Sequence, residues 1–179
     1  FSAILTPTHA SNFNLDTGFA ADASKYNKTL INAVSKAGTR LIGVGIHGII
    51  IYSDDMGTNW EQATVPTTKT LTDIDCINKN VCWATGHDAY ILKTTDRGQN
   101  WIIQYQDEIF DAPLLSIAMF NENAGIAVGA FAKSLVKTDG GNTWKDFFVN
   151  EDEFQPHLNN VLVNGQNAYV AGELGLFYH

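Results

Sequence analysis

The stretch KTTDRGQNW at residues 93–101 occurs three times in this chain with small changes. It corresponds to YSDDMGTNW at 52–60 and to VKTDGGNTW at 136–144, so the copies begin 41 and then 43 residues apart. Self-similarity with a period of a few tens of residues is typical of chains built from an array of similar units. The stretch therefore predicts at least three equivalent structural units.

The three copies share the form S/T-x-D-x-G-x-T/N-W, which predicts a folded turn between two strands. The aspartate can accept N–H groups of its own loop, the glycine takes a backbone conformation that a side chain would forbid, and the tryptophan buries its ring beneath the turn. The turn residues are Ser53, Asp55, Gly57 and Trp60, then Thr94, Asp96, Gly98 and Trp101, then Asp139, Gly141 and Trp144, with Lys137 in place of the hydroxyl residue.

Around each turn, four short apolar runs are separated by Gly, Asn and Asp, as in LTDIDCI, VCWATG, AYILKT and NWIIQ of the second unit. Such runs favour strands, and a four-stranded antiparallel unit of about 40 residues is typical of a β-propeller blade. A sandwich would be the alternative, but it gives no reason for the same turn to recur at the same phase. We therefore expect an all-β propeller.

The predicted blades cover about 30–66, 67–110, 111–155 and, in part, 156–179, after an N-terminal arm or closing strand at 1–29. VAGELGLFYH at 170–179 restarts the pattern and stops inside a third strand, because a fourth aspartate would fall past the last residue. These three and a half blades suggest part of a longer ring of about seven blades. If the chain ends at residue 179, self-association through the open blade face is the expected alternative.

The composition restricts the classes of partner. The formal net charge of -8 argues against nucleic acid, whose phosphates need clustered Lys and Arg. No apolar run approaches the length of a membrane span, so direct membrane insertion is not expected. The five histidines show no metal-ligand spacing; His47 and His87, with Asp88 nearby, are better explained as exposed turn residues. We expect no cofactor and no metal.

The recurring turn resembles the Asp box, or BNR repeat, of sialidases, sortilin-type receptors and xyloglucanases. The whole blade is most similar to the photosystem II stability/assembly factor family, as LTDIDCINKNVCWATGHDAYILKTTDRGQNW at 71–101 illustrates. This resemblance implies a non-catalytic scaffold that holds a protein, such as a subunit of a membrane complex, during assembly. The chain has two arginines, Arg40 and Arg97, where the photosynthetic members would be expected to carry a basic patch. An envelope complex other than photosystem II is therefore the better expectation for the client.

Catalysis is not expected, although a hydrolase with two carboxylates and a carbohydrate-binding module remain as alternatives. A sialidase clamps its substrate carboxylate with three arginines, and two arginines cannot form that triad. A hydrolase with two carboxylates is harder to exclude, because no linear pattern selects a pair among 19 acidic residues. A carbohydrate-binding module, with exposed aromatics as stacking platforms, is the remaining alternative.

Cys76 and Cys82 flank a short hairpin turn and are able to face each other across two strands. A disulfide between them would imply an oxidising compartment, so we expect a periplasmic or extracellular protein whose signal peptide has been removed. Two buried thiols in a cytosolic protein are the alternative.

The connections between predicted blades become longer and richer in acidic and aromatic residues along the chain. Aromatic side chains offer contact area and carboxylates select a basic partner, so these segments form a candidate surface for binding a protein. Packing of the aromatics against outer strands is an equally weighted alternative. The candidate residues are Tyr105, Asp107, Glu108, Phe110, Asp111, Glu151, Asp152, Glu153 and Phe154.

Overall fold

The computed structural model describes residues 20, 22, 29–107, 109–138, 143–147 and 155–179. Most of the predicted N-terminal arm lies outside these residues; of its length, Ala20 is buried and its N–H donates to the carbonyl of Val65. The described residues form strands and three single 3-10 turns, at Ile46–Gly48, Ala130–Ala132 and Glu173–Gly175. Among these residues, no helix has the length and apolar character needed to cross a membrane.

The strands of the described residues form four antiparallel sheets, in which neighbours in sequence are also neighbours in the sheet. The first contains β1 (Ile31–Ala37), β2 (Arg40–Gly45), β3 (Ile50–Ser53) and β4 (Glu61–Gln62). The second contains β5 (Leu71–Cys76), β6 (Cys82–Gly86), β7 (Ile91–Thr94) and β8 (Ile102–Tyr105). The third contains β9 (Leu114–Asn121), β10 (Ala124–Gly129), β11 (Ser134–Lys137) and β12 (Lys145–Asp146). The last contains β13 (Leu158–Asn164), β14 (Asn167–Gly172) and β15 (Phe177–Tyr178).

The first strand of each sheet lies beside the first strand of the next: β1 beside β5, β5 beside β9, and β9 beside β13. The sheets therefore stand side by side around a common axis, with these strands innermost. This is the arrangement of propeller blades, so the predicted all-β propeller is confirmed, with three complete blades and a partial fourth.

Apolar side chains fill each gap between neighbouring sheets. Between the first two sheets, Ile42 and Ile50 meet Leu92 and Trp101, and all four are buried. The next two gaps hold equivalent clusters, which include Trp83, Ile91 and Leu135 in one and Val128, Val161 and Val170 in the other. Because a blade is covered on both faces, its middle strands need not alternate between apolar and polar residues, which explains the run GIIIY at 48–52.

A glycine ends the second strand of every sheet, at Gly45, Gly86, Gly129 and Gly172. At the first three positions a Cβ would collide with the carbonyl oxygen of the residue before the innermost strand, namely Leu30, Thr70 and Pro113. The recurrence of glycine ten residues before each box aspartate thus follows from a close approach of two backbones.

The loops divide between two faces of the propeller. The turns after third strands, at 52–60, 93–101 and 136–144, are called box turns here for their resemblance to the Asp box. They lie with the hairpins after first strands at one end, which we call the box face. The turns after second strands lie with the connections between sheets at the other end, which we call the connection face. There, Ala89 N–H donates to the carbonyl of Ala112 at 3.2 Å, and Ala132 N–H to that of Pro156 at 2.8 Å.

Candidate functional site

The box turn is held by a hydroxyl and a carboxylate that share the loop's N–H groups. In the second copy, Thr94 Oγ1 donates to Asp96 Oδ1 at 2.8 Å and accepts the Gly98 N–H at 3.1 Å. Asp96 Oδ1 also accepts the N–H groups of Gln99 and Asn100, at 3.1 and 3.0 Å. The glycine is left-handed, with φ of 83°, which is why a side chain is disfavoured there.

The first copy repeats this geometry. Ser53 Oγ donates to Asp55 Oδ1 at 2.8 Å and accepts the Gly57 N–H at 2.8 Å, and Asp55 Oδ1 accepts the Asn59 N–H at 2.8 Å. Hydrogen bonds from Asn59 and Ser53 hold the pKa of Asp55 below its usual range. Burial alone would raise the pKa of Asp96, but the hydrogen bonds it accepts bring it below the usual value.

The box tryptophans differ in what their indole N–H groups contact. Trp60 and Trp101 donate to the carbonyls of Gly57 and Gly98 in their own turns, at 3.1 and 3.0 Å. Trp144 instead donates to Gln104 Oε1 in the second sheet, at 3.0 Å, and the same oxygen accepts the indole N–H of Trp83 at 2.8 Å. One amide oxygen therefore joins the second and third sheets.

Part of the third box lies outside the described residues, including Asp139 and Gly141. Lys137, which replaces the hydroxyl residue, is buried, as Ser53 and Thr94 are. The roles of Asp139 and Gly141 therefore stay predictions.

Both arginines of the chain converge on the first box turn. Arg40 is buried, stacks over the Tyr52 ring at 4.1 Å, and donates from Nε to Asp54 Oδ1 at 2.8 Å. Arg97 of the second sheet reaches the same oxygen at 3.1 Å, and its carbonyl accepts Arg40 Nη1 at 2.9 Å. The hydrogen bond from Arg40 lowers the pKa of Asp54. The two guanidinium groups are thus engaged in joining sheets on the box face.

Four residues of the candidate partner surface lie on the connection face. Tyr105 and Phe110 are half-buried and pack against the cluster between the second and third sheets, while Asp111 is exposed. Lys133, from the third sheet, binds Asp107 Oδ2 at 3.1 Å and lies over the Phe110 ring at 4.8 Å.

Lys133 offsets part of the negative charge of this surface. Lys133 holds the pKa of Asp107 below its usual range, and Lys133 also binds Asp146 at 2.7 Å. Two carboxylates are therefore already neutralised in part by a cation of the same chain, and Asp111 is the carboxylate of this group that points to solvent. The other candidate residues, Glu108, Glu151, Asp152, Glu153 and Phe154, lie outside the described residues.

Sequence reasoning missed a recurring feature of the connection face. In each turn after a second strand, the second residue beyond the recurring glycine is left-handed: His47, Asp88, Phe131 and Leu174, with φ between 53° and 56°. Counting from Gly45, Gly86, Gly129 and Gly172 would have located these positions, although not their conformation. His87 occupies the preceding position, so it is not the equivalent of His47.

The innermost strands carry polar side chains that link one sheet to the next. Asn32 Nδ2 donates to the carbonyl of Leu71 at 2.7 Å, and Thr72 Oγ1 to that of Leu114 at 2.6 Å. The Val161 N–H donates to Ser116 Oγ at 3.2 Å. Hydrogen bonds therefore link each pair of adjacent innermost strands around the axis.

A groove of about 490 Å³ runs between β5, β9 and β13 and contains two carboxylates. Asp73 Oδ2 accepts Ser116 Oγ and the Ile117 N–H, at 2.8 and 3.0 Å, and Asp75 Oδ2 accepts the Met119 N–H at 2.7 Å. Burial raises the pKa of Asp75. These contacts give both carboxylates a role in joining sheets.

The disulfide between Cys76 and Cys82 is present. The two residues are register partners on β5 and β6, as the hairpin suggested. Such a bond is compatible with an oxidising compartment. Among the described residues, no group of three His, Cys, Asp or Glu side chains is placed to hold a metal ion.

Comparison by sequence gives no match, since no protein-family model and no curated protein matches this chain. Comparison by structure finds YCF48 from Cyanidioschyzon merolae, with a TM-score of 0.65 and 16% identity over 82% of this chain. It also finds YCF48 bound to D1 peptide, with a TM-score of 0.66 and 16% identity over 83% of this chain. The GH74 enzyme of Niastella koreensis follows, with a TM-score of 0.61 and 16% identity over 84% of this chain.

This chain corresponds to only part of each of these three proteins. The chain spans about half the length of the two YCF48 structures, 49% and 50%, and 27% of the GH74 enzyme. At 16% identity the likeness concerns architecture, because one fold hosts many activities. What this chain shares with all three proteins is the fold, that of β-propeller blades.

Proposed function

We propose that this chain belongs to an exported, non-catalytic propeller that binds another protein, a component of an envelope or membrane complex. The observation that carries the proposal is the connection face, where Tyr105, Phe110 and Asp111 come together at the junction of two sheets. The similar fold of YCF48, one structure of which holds a D1 peptide, supports binding of a polypeptide.

The ring itself is part of the proposal. The box turns carry the hydrogen bonds expected of Asp boxes, which supports assignment to the Asp-box, or BNR, repeats and to the assembly-factor type of propeller. The blades at 30–66, 67–110, 111–155 and 156–179 would form about half of a ring of about seven, with 1–29 as an arm or closing strand. The chain covers 49% of YCF48, which supports a ring that is longer than the blades described here.

A non-catalytic role is supported by how the charged groups are used. Arg40 and Arg97 are both bound to Asp54, on the box face, and therefore do not supply a carboxylate clamp. Asp73 and Asp75 accept hydrogen bonds from the neighbouring strand, which suits a structural role better than proton transfer.

Site-specific photocrosslinking in a native envelope fraction tests the proposal. A photoreactive side chain at position 111 should capture a defined protein, and the same group at Thr58 on the box face serves as the matched control. Charge reversal of Glu151, Asp152 and Glu153 should weaken capture at 111. Absence of any captured protein, or equal capture from both faces, would contradict the proposal.

Export is tested by thiol labelling of the unfolded, unreduced protein. The disulfide between Cys76 and Cys82 predicts no labelled cysteine before reduction and two after it. Two labelled thiols in protein isolated without reductant would argue for a reducing compartment instead.

The likeness to a GH74 enzyme favours a second candidate, a carbohydrate-binding or glycoside hydrolase-like propeller. Its exposed aromatic side chains would then stack on sugar rings. Glycan-array binding, or release of reducing sugar from plant polysaccharides by the purified chain, would favour this candidate over the scaffold.

A further inference from the structure

Two bulky apolar residues occupy strained turn positions on the connection face. Left-handed backbone is tolerated by His and Asp, which stand at positions 47 and 88, but it is uncommon for Phe or Leu. Phe131 and Leu174 nevertheless adopt φ of 53° and 56°. Their side chains point largely to water, with 51% of Phe131 and 84% of Leu174 exposed. Burial therefore does not account for these residue types.

Phe131 lies in a series of contacts that extends from Phe110 to Glu173, the chain neighbour of Leu174. The Phe131 ring lies edge-on to Phe110, with centroids 6.5 Å apart, and 5.1 Å from the His157 ring. His157 N–H donates to Glu173 Oε2, and Glu173 N–H donates back to the His157 carbonyl, each at 2.9 Å. The apolar strip, as we call this surface, consists of Ile109, Phe110, Phe131, His157 and Leu174, with Ile109 97% exposed.

Carboxylates border the apolar strip. Asp111 and Glu173 are exposed, and neither forms an ion pair with another described residue. Lys133, the cation nearest to Phe110, is already bound to Asp107 and Asp146. The strip thus combines apolar tips with carboxylates that no described cation pairs with, and the whole chain has a net charge of -8.

We propose that the apolar strip binds an extended peptide segment of a partner protein in which apolar and basic residues alternate. Side chains of an extended peptide point alternately to opposite sides, so apolar groups can contact successive turn tips while basic groups reach the bordering carboxylates. Apolar contact supplies affinity, and charge complementarity supplies selectivity. This inference rests on the proposed protein-binding function and adds the surface and the chemistry of the bound segment.

Selection from a random peptide library displayed on phage tests the inference with the folded chain as bait. We expect the enriched peptides to combine leucine or aromatic residues with lysine or arginine. Replacing both Phe131 and Leu174 with Asn should lower the affinity for synthetic copies of these peptides about tenfold or more. Fluorescence anisotropy would measure this affinity. His47→Asn is the matched control, because it changes the same turn position of the first sheet, outside the strip, and should leave affinity unchanged.

The asparagine substitutions also separate recognition from folding. Asn accepts left-handed backbone more readily than Leu, so Leu174→Asn should not lower the melting temperature while it weakens the peptide. If the double variant unfolds, Leu174→Asn alone and the pair Asp111→Asn and Glu173→Gln, which keep shape and remove charge, give the same test.

The outcomes separate this inference from the function on which it rests. Peptides that bind the wild type and the variants equally, or enriched peptides without basic residues, would overturn the apolar strip and leave protein binding intact. Failure of the wild type to enrich any peptide, together with absence of photocrosslinks at position 111, would overturn both.

Discussion

At the scale of a residue, Asp96 shows how one side chain fixes a turn. Its carboxylate accepts hydrogen bonds from Thr94, Gln99 and Asn100, and this arrangement places Trp101 so that the indole N–H returns to the turn. The spacing of the repeated stretch predicts an aspartate that accepts N–H groups of its own loop, because those groups lie within a few positions of it. The hydroxyl of Thr94 and the direction of the Trp101 indole N–H were not part of that prediction.

Replacing Asp96 with Ala should lower the free energy of unfolding by about 1–3 kcal/mol, since several hydrogen bonds to one charged group are lost in a partly solvated loop. Urea denaturation of the variant would measure the loss. Thr95→Ala, at an exposed position of the same turn, should change little. A strictly structural role also requires unchanged photocrosslinking from position 111, and a stable variant with lost capture would contradict that role.

Acid should destabilise the protein through its turn carboxylates. The pKa values of Asp54, Asp55, Asp96 and Asp107 are lowered in the fold, so their stabilising contribution is present above the ordinary Asp pKa of about 3.9 and is lost as pH falls below it. Asp75 acts in the opposite sense, because burial raises its pKa.

Melting temperatures across pH would check this prediction. We expect a plateau between about pH 5 and 7 and a fall below about pH 4. Asp75→Asn should leave the acid fall in place and raise stability near neutral pH, where the buried charge is unfavourable. A melting temperature of the wild type that rises on acidification would contradict the prediction, because it would mean that Asp75 outweighs the turn carboxylates in the pH dependence of stability.

The residue scale is also where sequence reasoning was incomplete. Phe131 and Leu174 follow a glycine by two positions, as His47 and Asp88 do, yet the four side chains differ so much in chemistry that no shared pattern is visible. Their common property is a backbone angle, with φ between 53° and 56°, which the residue types do not reveal.

At the scale of an element, neighbouring sheets are joined by contacts that no repeat pattern specifies. Arg40 and Arg97 belong to different predicted blades, 57 residues apart, and meet at Asp54. The sequence placed Arg97 in a box turn and could not place its guanidinium, because the distance between two box turns depends on the angle between sheets.

Asp54→Ala should therefore lower the free energy of unfolding by about 2 kcal/mol, because it leaves the buried Arg40 guanidinium without its carboxylate partner. Arg97→Ala removes a half-exposed partner and should cost less than about 1 kcal/mol. Chemical denaturation of both variants would establish the order. A greater loss of stability from Arg97→Ala would contradict this order, because it would mean that the half-exposed Arg97–Asp54 pair contributes more than the Arg40–Asp54 pair.

At the scale of the whole molecule, the last sheet has an open side. Phe177 is 65% exposed, whereas Ile50 and Ile91, at the equivalent third-strand positions of the first two sheets, are fully covered by the next sheet. Leu162 is exposed beside it, and Tyr169 stacks on Phe177 with centroids 6.0 Å apart. The repeat predicted this face from the sequence alone, since only the ring geometry was needed.

If the protein ends at residue 179, we expect it to associate with a second copy through this face at high concentration. Ile49 and Ile51, on the face of the first sheet that does not contact the second sheet, are already buried. The first sheet therefore offers no open apolar face for head-to-tail contact, and pairing of two last sheets is favoured. Sedimentation velocity should show a concentration-dependent dimer that Leu162→Glu with Phe177→Glu abolishes. A wild-type monomer at every concentration would contradict this expectation.

The hydrogen bonds that connect innermost strands have a consequence for local opening. Because each sheet is held mainly by its neighbours, the free energy of opening one sheet depends on how many neighbours cover it, as in a one-dimensional array. The second and third sheets are covered on both sides and should exchange their amide hydrogens slowly, whereas the last sheet, joined through Val161 to Ser116, should exchange first. The apolar strip spans the slowly and rapidly exchanging sheets, so a bound peptide would reveal itself as slower exchange in β14 and β15.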